Sequence, residues 1–429
     1  MTTEPESQDE PTEQQLAAIE CRDREILVEA GAGTGKTSTT VARYRRLLAE
    51  GNQPGQILVF TFTDKAAAEL RSRVRRTNPD LADVDMGSAW IGTFHAICSR
   101  ILRSHPVAAD VDPRFDILDD VKGSRIKGEA FESAMREISN DRRSAEYLSR
   151  IWLPTWKSGV TAAYDQLRAR GEEQPRLPEI PDAGDPVDEF SAFCHGLVDG
   201  LLDAYGSEYS KMKRAEGLLD YEDLQLRTLR LLDSHSGIRA SYEERFSEIM
   251  VDEFQDTNRL QLRLIKTLQG DETTLFTVGD EMQAIYGFRH ADVELFRQRR
   301  KVSTRIELTA NFRSQAPVIG AVNTIGHGLD DQVVDRRKDE RQEDSDGEAR
   351  GGIVESGRQR FKGLSVGLEP EPGCDASVEL LLIGKDGWKD EDLGPLSPPD
   401  AKDQGATEAA TRAEALAVAR RIREAVDSG

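Results

Sequence analysis

Ile26–Ala49 reads ILVEAGAGTGKTSTTVARYRRLLA, and this stretch decides the architecture. Ile26–Glu29 is a short apolar run of strand type, and Ser38–Ala49 has helical spacing. Between them, Ala30–Thr37 (AGAGTGKT) is rich in glycine and ends on lysine and threonine. A glycine-rich turn from strand to helix lets backbone N–H groups face inward, and the helix N-terminus adds the positive end of its dipole. Phosphate oxygens fit such a cradle. The pattern assigns nucleotide binding to Ala30, Gly31, Ala32, Gly33, Thr34, Gly35, Lys36 and Thr37. Lys36 would neutralise the β- and γ-phosphates, and the Thr37 hydroxyl would ligate Mg²⁺. The generic pattern opens with glycine, where Ala30 stands here.

A phosphate loop needs a second carboxylate on the metal side, and Ile249–Asp256 (IMVDEFQD) supplies one at the end of an apolar strand. Asp252 is placed to hold Mg²⁺, and Glu253 to act as general base on the attacking water. An Asp-Glu pair alone is usually a solvated surface. After a hydrophobic strand, in a chain that also carries AGAGTGKT, it points to hydrolysis of ATP.

The remaining strand candidates are Ile57–Thr61, Leu275–Val278 and Arg305–Leu308, with a helical pattern at Lys65–Arg75. The alternation predicts an α/β fold: a RecA-like parallel sheet with its site at the carboxyl ends of the strands. Residues 1–10 read as a disordered lead. Residues 11–95 and 214–297 form the ATP-binding domain. Residues 96–213 form a helical insertion with helices at Lys127–Ile138 and Val187–Arg214, the Pro-rich loop Gln174–Pro186, and no clear strand. Residues 298–429 read as a partial second α/β domain. It contains an acidic mobile loop at about 331–376, a strand at Val378–Ile383 and a final helix at Glu408–Val426.

With 429 residues, two or three domains are expected. No run of eighteen apolar residues crosses a membrane and no secretory signal opens the chain, so the expected compartment is the cytoplasm. Cys21, Cys98, Cys194 and Cys374 are scattered with no CxxC pair, which argues for reduced thiols. The net charge of −21 runs against a nucleic-acid partner. Yet the excess is spread along the chain and arginine outnumbers lysine roughly threefold. That composition fits a halophilic protein, in which salt screens the global repulsion of DNA.

At this point the motifs closely resemble the UvrD/Rep family of superfamily 1 DNA helicases, in the family's order. Pro11–Ile19 (PTEQQLAAI) is similar to the adenine-reading segment. Thr61–Ala67 (TFTDKAA), Gly92–His95 (GTFH) and Leu218–Leu224 (LLDYEDL) resemble DNA-contacting segments. Val251–Asn258 (VDEFQDTN), Val278–Ala291 (VGDEMQAIYGFRHA) and Leu308–Ser314 (LTANFRS) complete the series. The resemblance implies that Gln15 reads the adenine edge and Phe312 stacks on the base. It implies that Gln283 senses the γ-phosphate and that Arg289 and Arg313 stabilise charge on the transferred phosphate. For DNA it implicates Thr61, Phe62, Thr63, Thr93, His95, Tyr286 and Phe288, hydroxyls holding phosphates and rings stacking on unpaired bases. The sequence departs from the family at Ser38 (often arginine), Asp64 (asparagine), Phe288 (tryptophan) and Phe312 (tyrosine).

The implied activity is ATP-driven 3′→5′ movement on single-stranded DNA and at single-strand/duplex junctions, in repair or replication. The family's later TxHxxKGLE-like and VAxTRA-like segments are not found. A fragment, a split gene product or a degenerate relative is therefore expected, with a separate chain or further C-terminal region completing the motor. Such a chain should bind ATP and Mg²⁺ better than it turns them over. The alternatives are a catalytically weak ATP- and DNA-binding module and a RecB-like helicase–nuclease fragment.

Overall fold

A computed structural model of the protein describes residues 10–76, 87–150, 152–178, 189–284, 292–326 and 363–367. Helix α1 (Glu13–Glu20) leads into strand β1 (Glu25–Ala30), the phosphate loop and helix α2 (Lys36–Ala49). Strand β2 (Ile57–Thr61), α3 (Asp64–Arg76), β3 (Trp90–Thr93) and α4 (Phe94–Ser104) follow. A two-residue strand β4 (Asp116–Ile117) opens the insertion, which runs through α5 (Asp120–Ile138), α6 (Arg142–Leu148), α7 (Leu153–Ala169) and α8 (Glu189–Ala215). The chain returns by β5 (Leu218–Leu219), α9 (Tyr221–Ser234), α10 (Ser236–Arg245), β6 (Glu248–Val251) and α11 (Arg259–Leu268). Strand β7 (Thr274–Gly279), α12 (Val293–Val302), β8 (Thr304–Leu308), β9 (Ala310–Asn311) and β10 (Ser365–Val366) complete the described elements.

Six strands form one sheet in the order β3-β2-β6-β7-β1-β8, and every pairing in it is parallel. Parallel strands are covered on both faces and so read as near-continuous apolar runs. One face, through Ile26, Val28, Val59 and Phe276, packs on α2 and α3. The other, through Leu27, Phe60, Ile249 and Leu275, packs on α4, α9 and α11. All six carboxyl ends therefore point to the same edge, where loops rather than strands meet the solvent.

The strands expected from sequence before residue 310 are present, with ends shifted by a residue or so. Three expectations are corrected. Arg305–Leu308, assigned to a second domain, is β8, hydrogen-bonded beside β1 as the edge strand of the first sheet. Its pairing with β1 moves the boundary past Leu308. Residues 96–104 belong to α4, whose Ile97, Cys98, Ile101 and Leu102 are buried in the sheet's core rather than in the insertion. The insertion also contains a strand after all, since β4 pairs with β5 in parallel. Val378–Ile383, Glu408–Val426 and most of 331–376 lie outside the described residues.

The insertion has its own core, in which Ile126, Phe131, Tyr164, Leu201 and Tyr205 are buried together. A buried charge cluster ties it to the sheet domain. Arg168 of α7 donates to Asp223 at 2.6 Å, and Lys213 of α8 donates to both Asp220 and Asp223 at 2.5 Å. Asp220 and Asp223 also form the capping box that starts α9. Two helices of the insertion thus converge on the helix that re-enters the main domain.

Candidate nucleotide and nucleic-acid site

The phosphate loop is shaped from outside by contacts to its carbonyls. Asn311 Nδ2 donates to the Ala32 carbonyl at 2.6 Å, the Phe312 N–H to Gly33 at 2.8 Å and Gln15 Nε2 to Thr34 at 3.2 Å. A trans peptide points its C=O and N–H in opposite directions. Drawing these carbonyls outward therefore turns the N–H groups of Gly33 and Gly35 toward the other side, where a phosphate would sit, while the Thr34 N–H donates within the loop to the Gly31 carbonyl at 3.4 Å. Gly33 (φ +74°) and Gly35 (φ +89°) occupy the left-handed region that only glycine adopts freely. A Cβ at Gly35 would stand 2.5 Å from Gln15 Nε2, so any larger residue would displace that side chain from the Thr34 carbonyl. Helix α2 begins directly at Lys36.

Facing the loop, Lys36 Nζ donates to Glu253 Oε2 at 2.7 Å and to Gln283 Oε1 at 3.1 Å. Gln283 Nε2 in turn donates to Asp280 at 2.7 Å. Gln255 Nε2 donates to Glu253 Oε2 at 2.8 Å, while its Oε1 accepts from the Asp280 N–H at 3.0 Å. The carboxyl ends of β1, β6 and β7 are thus joined in one polar network. Lys36, Glu253 and Gln283, picked from separate motifs, meet in it, and Asp252 adjoins it by accepting from the Glu253 N–H at 3.1 Å. Gln255 and Asp280 were missed as functional residues, although both sit inside quoted motifs. Burial, followed by the neighbouring Glu253 charge, pushes the Asp252 carboxyl up to about 6, and the same causes act on Asp256.

Gln15 is half-buried at the N-terminus of α1, where its Oε1 also accepts from the Thr12 N–H at 3.0 Å. Phe312 is half-buried against Gly367, and Arg313 is exposed beside the loop. Tyr286, Phe288 and Arg289 lie outside the described residues.

The carboxyl ends of β2 and β3 form the neighbouring half of the same edge. Thr61 is only 2% exposed and its hydroxyl donates to the Thr63 carbonyl, so it shapes the turn from below. The Thr63 and Thr93 hydroxyls accept from the N–H groups of Ala66 and Ala96, capping α3 and α4. Thr93 Oγ1 also reaches Asp64 at 3.4 Å. Phe62 is half-buried, and His95 packs at 4.5 Å, tilted by 37°, against Tyr221, an exposed ring that was not singled out from the sequence.

Burial pushes the His95 pKa down to about 4, with Asp64 opposing. The imidazole is then neutral in the fold, while in the unfolded chain it takes a proton near 6.5. Its contribution is complete above pH of about 6.5 and is lost as pH falls toward about 4. Asp252 and Asp256 act in the opposite sense, because their raised values favour the fold as they protonate. Only the difference between wild type and His95→Gln isolates the histidine. From pH 7 to pH 4 wild type should lose on the order of 2 kcal/mol relative to His95→Gln in chemical denaturation, after allowance for the ring's partial exposure. A difference independent of pH would mean that the ring titrates normally.

Residues 11–303 match the family described as the UvrD/REP helicase N-terminal domain. The chain belongs to that family. It is 33% identical over 321 residues to DNA helicase II of Salmonella typhimurium, covering 74% of this chain and 40% of that protein. It is 33% identical over 317 residues to the ATP-dependent DNA helicase PcrA of Bacillus subtilis, covering 72% of this chain and 38% of the relative. A DNA helicase II from Haemophilus influenzae is 32% identical over 302 residues, 70% of this chain and 38% of its own length. This family member thus spans about two fifths of the length of the relatives it matches. No helix among the described residues is long and apolar enough to cross a membrane.

Proposed function

We propose that this chain is the ATP-binding motor portion of a DNA helicase that moves 3′→5′ on single-stranded DNA by hydrolysing ATP. The observation that carries the reading is the convergence of Lys36 with Glu253 and Gln283, at 2.7 and 3.1 Å, over the phosphate loop. The candidate DNA groups adjoin it, because β2 lies next to β6 in the sheet.

On this reading the loop N–H groups and Lys36 bind the phosphates, and Gln15 and Phe312 hold the adenine. Glu253 takes a proton from the attacking water, while Gln283, Arg289 and Arg313 answer charge on the transferred group. The Thr37 hydroxyl and the Asp252 carboxylate are hard oxygen donors suited to Mg²⁺, which usually takes one or two carboxylates and completes its shell with phosphates and water. The buried acidic pocket that raises Asp252 is short of positive charge, which fits a cation there. Bound Mg²⁺ would supply charge neutralisation at the phosphates.

Phe62, Thr63, Thr93 and His95, with Thr61 beneath them and Tyr286 and Phe288, hold unpaired DNA at single-strand/duplex junctions during repair or replication. The work takes place in a high-salt cytoplasm and engages a second α/β half, from this or another chain. An ATPase assay with and without single-stranded DNA tests the reading. Stimulation by DNA, abolished in Lys36→Ala, is the expected result. Equal ATP binding by wild type and Lys36→Ala would end it.

A further inference from the structure

Asn311 is buried, and its side chain works in two directions. Nδ2 donates to the Ala32 carbonyl of the phosphate loop at 2.6 Å. Oδ1 accepts from the N–H groups of Arg313 at 2.9 Å and Ser314 at 2.8 Å. The adjacent Phe312 N–H to Gly33 bond, at 2.8 Å, fastens the same two segments. Contact is close enough that a Cβ on Gly33 would stand 2.6 Å from Arg313 Cβ and 2.7 Å from Asn311 Nδ2.

We propose that Asn311 is a positioning residue that registers Arg313 against the phosphate loop. The proposal rests on the nucleotide-site reading above. One end of the amide holds the Ala32–Gly33 peptide so that the Gly33 N–H faces the phosphate side. The other end fixes the turn from which the Arg313 side chain departs. An amide suits the role, because it offers a donor and an acceptor on one short planar group, whereas Gln would overreach and an imidazole is bulkier. One side chain therefore sets both loop shape and arginine placement, each through its own end.

Asn311→Asp separates the two ends. A carboxylate still accepts from Arg313 and Ser314 but presents an oxygen to the Ala32 carbonyl. Asn311→Ala removes both. Fluorescent ATP and ADP analogues with Mg²⁺ should bind Asn311→Asp about tenfold more weakly, equally for both, since a lost hydrogen bond and an added acceptor clash act on the shared loop. Single-turnover hydrolysis at saturating ATP should stay within about threefold of wild type. Asn311→Ala should add a fall in that rate, and the fall should vanish in an Arg313→Ala background. Melting curves of each variant show whether it folds, and Asn311→Asp carries the test where Asn311→Ala does not.

Wild-type affinity in a folded Asn311→Asp overturns the proposal and leaves the nucleotide-site reading standing. So does a rate loss in Asn311→Ala that persists undiminished without Arg313. A wild-type chain that binds neither nucleotide overturns the site reading and this proposal together.

Discussion

Glu253→Gln is expected to lower single-turnover ATP hydrolysis by about 100- to 10,000-fold, the usual worth of a general base, while ATP binding is unchanged or tighter. Glu253 follows the last residues of β6 in a left-handed conformation (φ 48°, ψ 48°), uncommon for a residue with a side chain. Strain of that kind, on the order of 1–3 kcal/mol, persists where the surroundings hold it. Here the hold is visible: the carboxylate accepts from both Lys36 and Gln255. In this arrangement Lys36 is engaged internally, and arriving phosphates compete with Glu253 for its ammonium. Binding would thus release the base as it brings the substrate. Glutamine keeps the shape and an acceptor oxygen but forfeits the charge, so Lys36 turns to phosphate more readily and water loses its base. Quenched-flow hydrolysis and equilibrium binding on the same preparation separate the two effects. Hydrolysis within a few-fold of wild type would move the base to another residue.

Much of this site was legible because each part is local. AGAGTGKT and VDEFQD each follow an apolar strand, and a parallel sheet brings strand ends together whatever their distance in sequence. The register of that sheet was not legible. Arg305–Leu308 was assigned to a second domain, and nothing in four residues says which strand they pair with. Trp90–Thr93 was not read as a strand, although Gly92–His95 was quoted as a DNA-contacting segment, since Gly92 breaks the β-branched pattern. A glycine fits there because the strand runs straight into α4, and a Cβ would stand 3.3 Å from Ala96 Cβ. Asn311 and Gln255 escaped notice for a related reason. A buried amide announces itself only through its partners, and those partners lie far away in sequence.

Arg43→Met is expected to destabilise the fold by about 3–5 kcal/mol, the range for leaving one half of a buried ion pair behind, and to weaken ATP binding from outside the site. The Arg43 side chain is fully buried, with its guanidinium 4.6 Å from the Phe276 ring centre. Its Nε donates to Glu248 at 2.6 Å, and Nη1 donates to the carbonyls of Ala18 at 2.9 Å and Cys21 at 2.7 Å. Those carbonyls belong to the C-terminal end of α1, where helix acceptors lack partners and a cation is favoured. Burial raises the Glu248 carboxyl above its usual range, with Arg43 as the main opposing charge. Methionine fills the volume but strands a carboxylate and takes the Arg43 donor from the Ala18 carbonyl, leaving Arg22 alone on the Ile19 and Cys21 carbonyls at the helix end. The other end of α1 carries Gln15, which holds the Thr34 carbonyl of the phosphate loop. A loosened helix therefore costs affinity for ATP although Arg43 is remote from the phosphates. Adding Glu248→Leu should restore part of the stability, because the charge is removed, and little of the affinity, because the Ala18 carbonyl still lacks its Arg43 donor. Chemical denaturation and nucleotide titration of the single and double variants read both quantities. A single variant as stable as wild type would show that α1 is held by its apolar face alone.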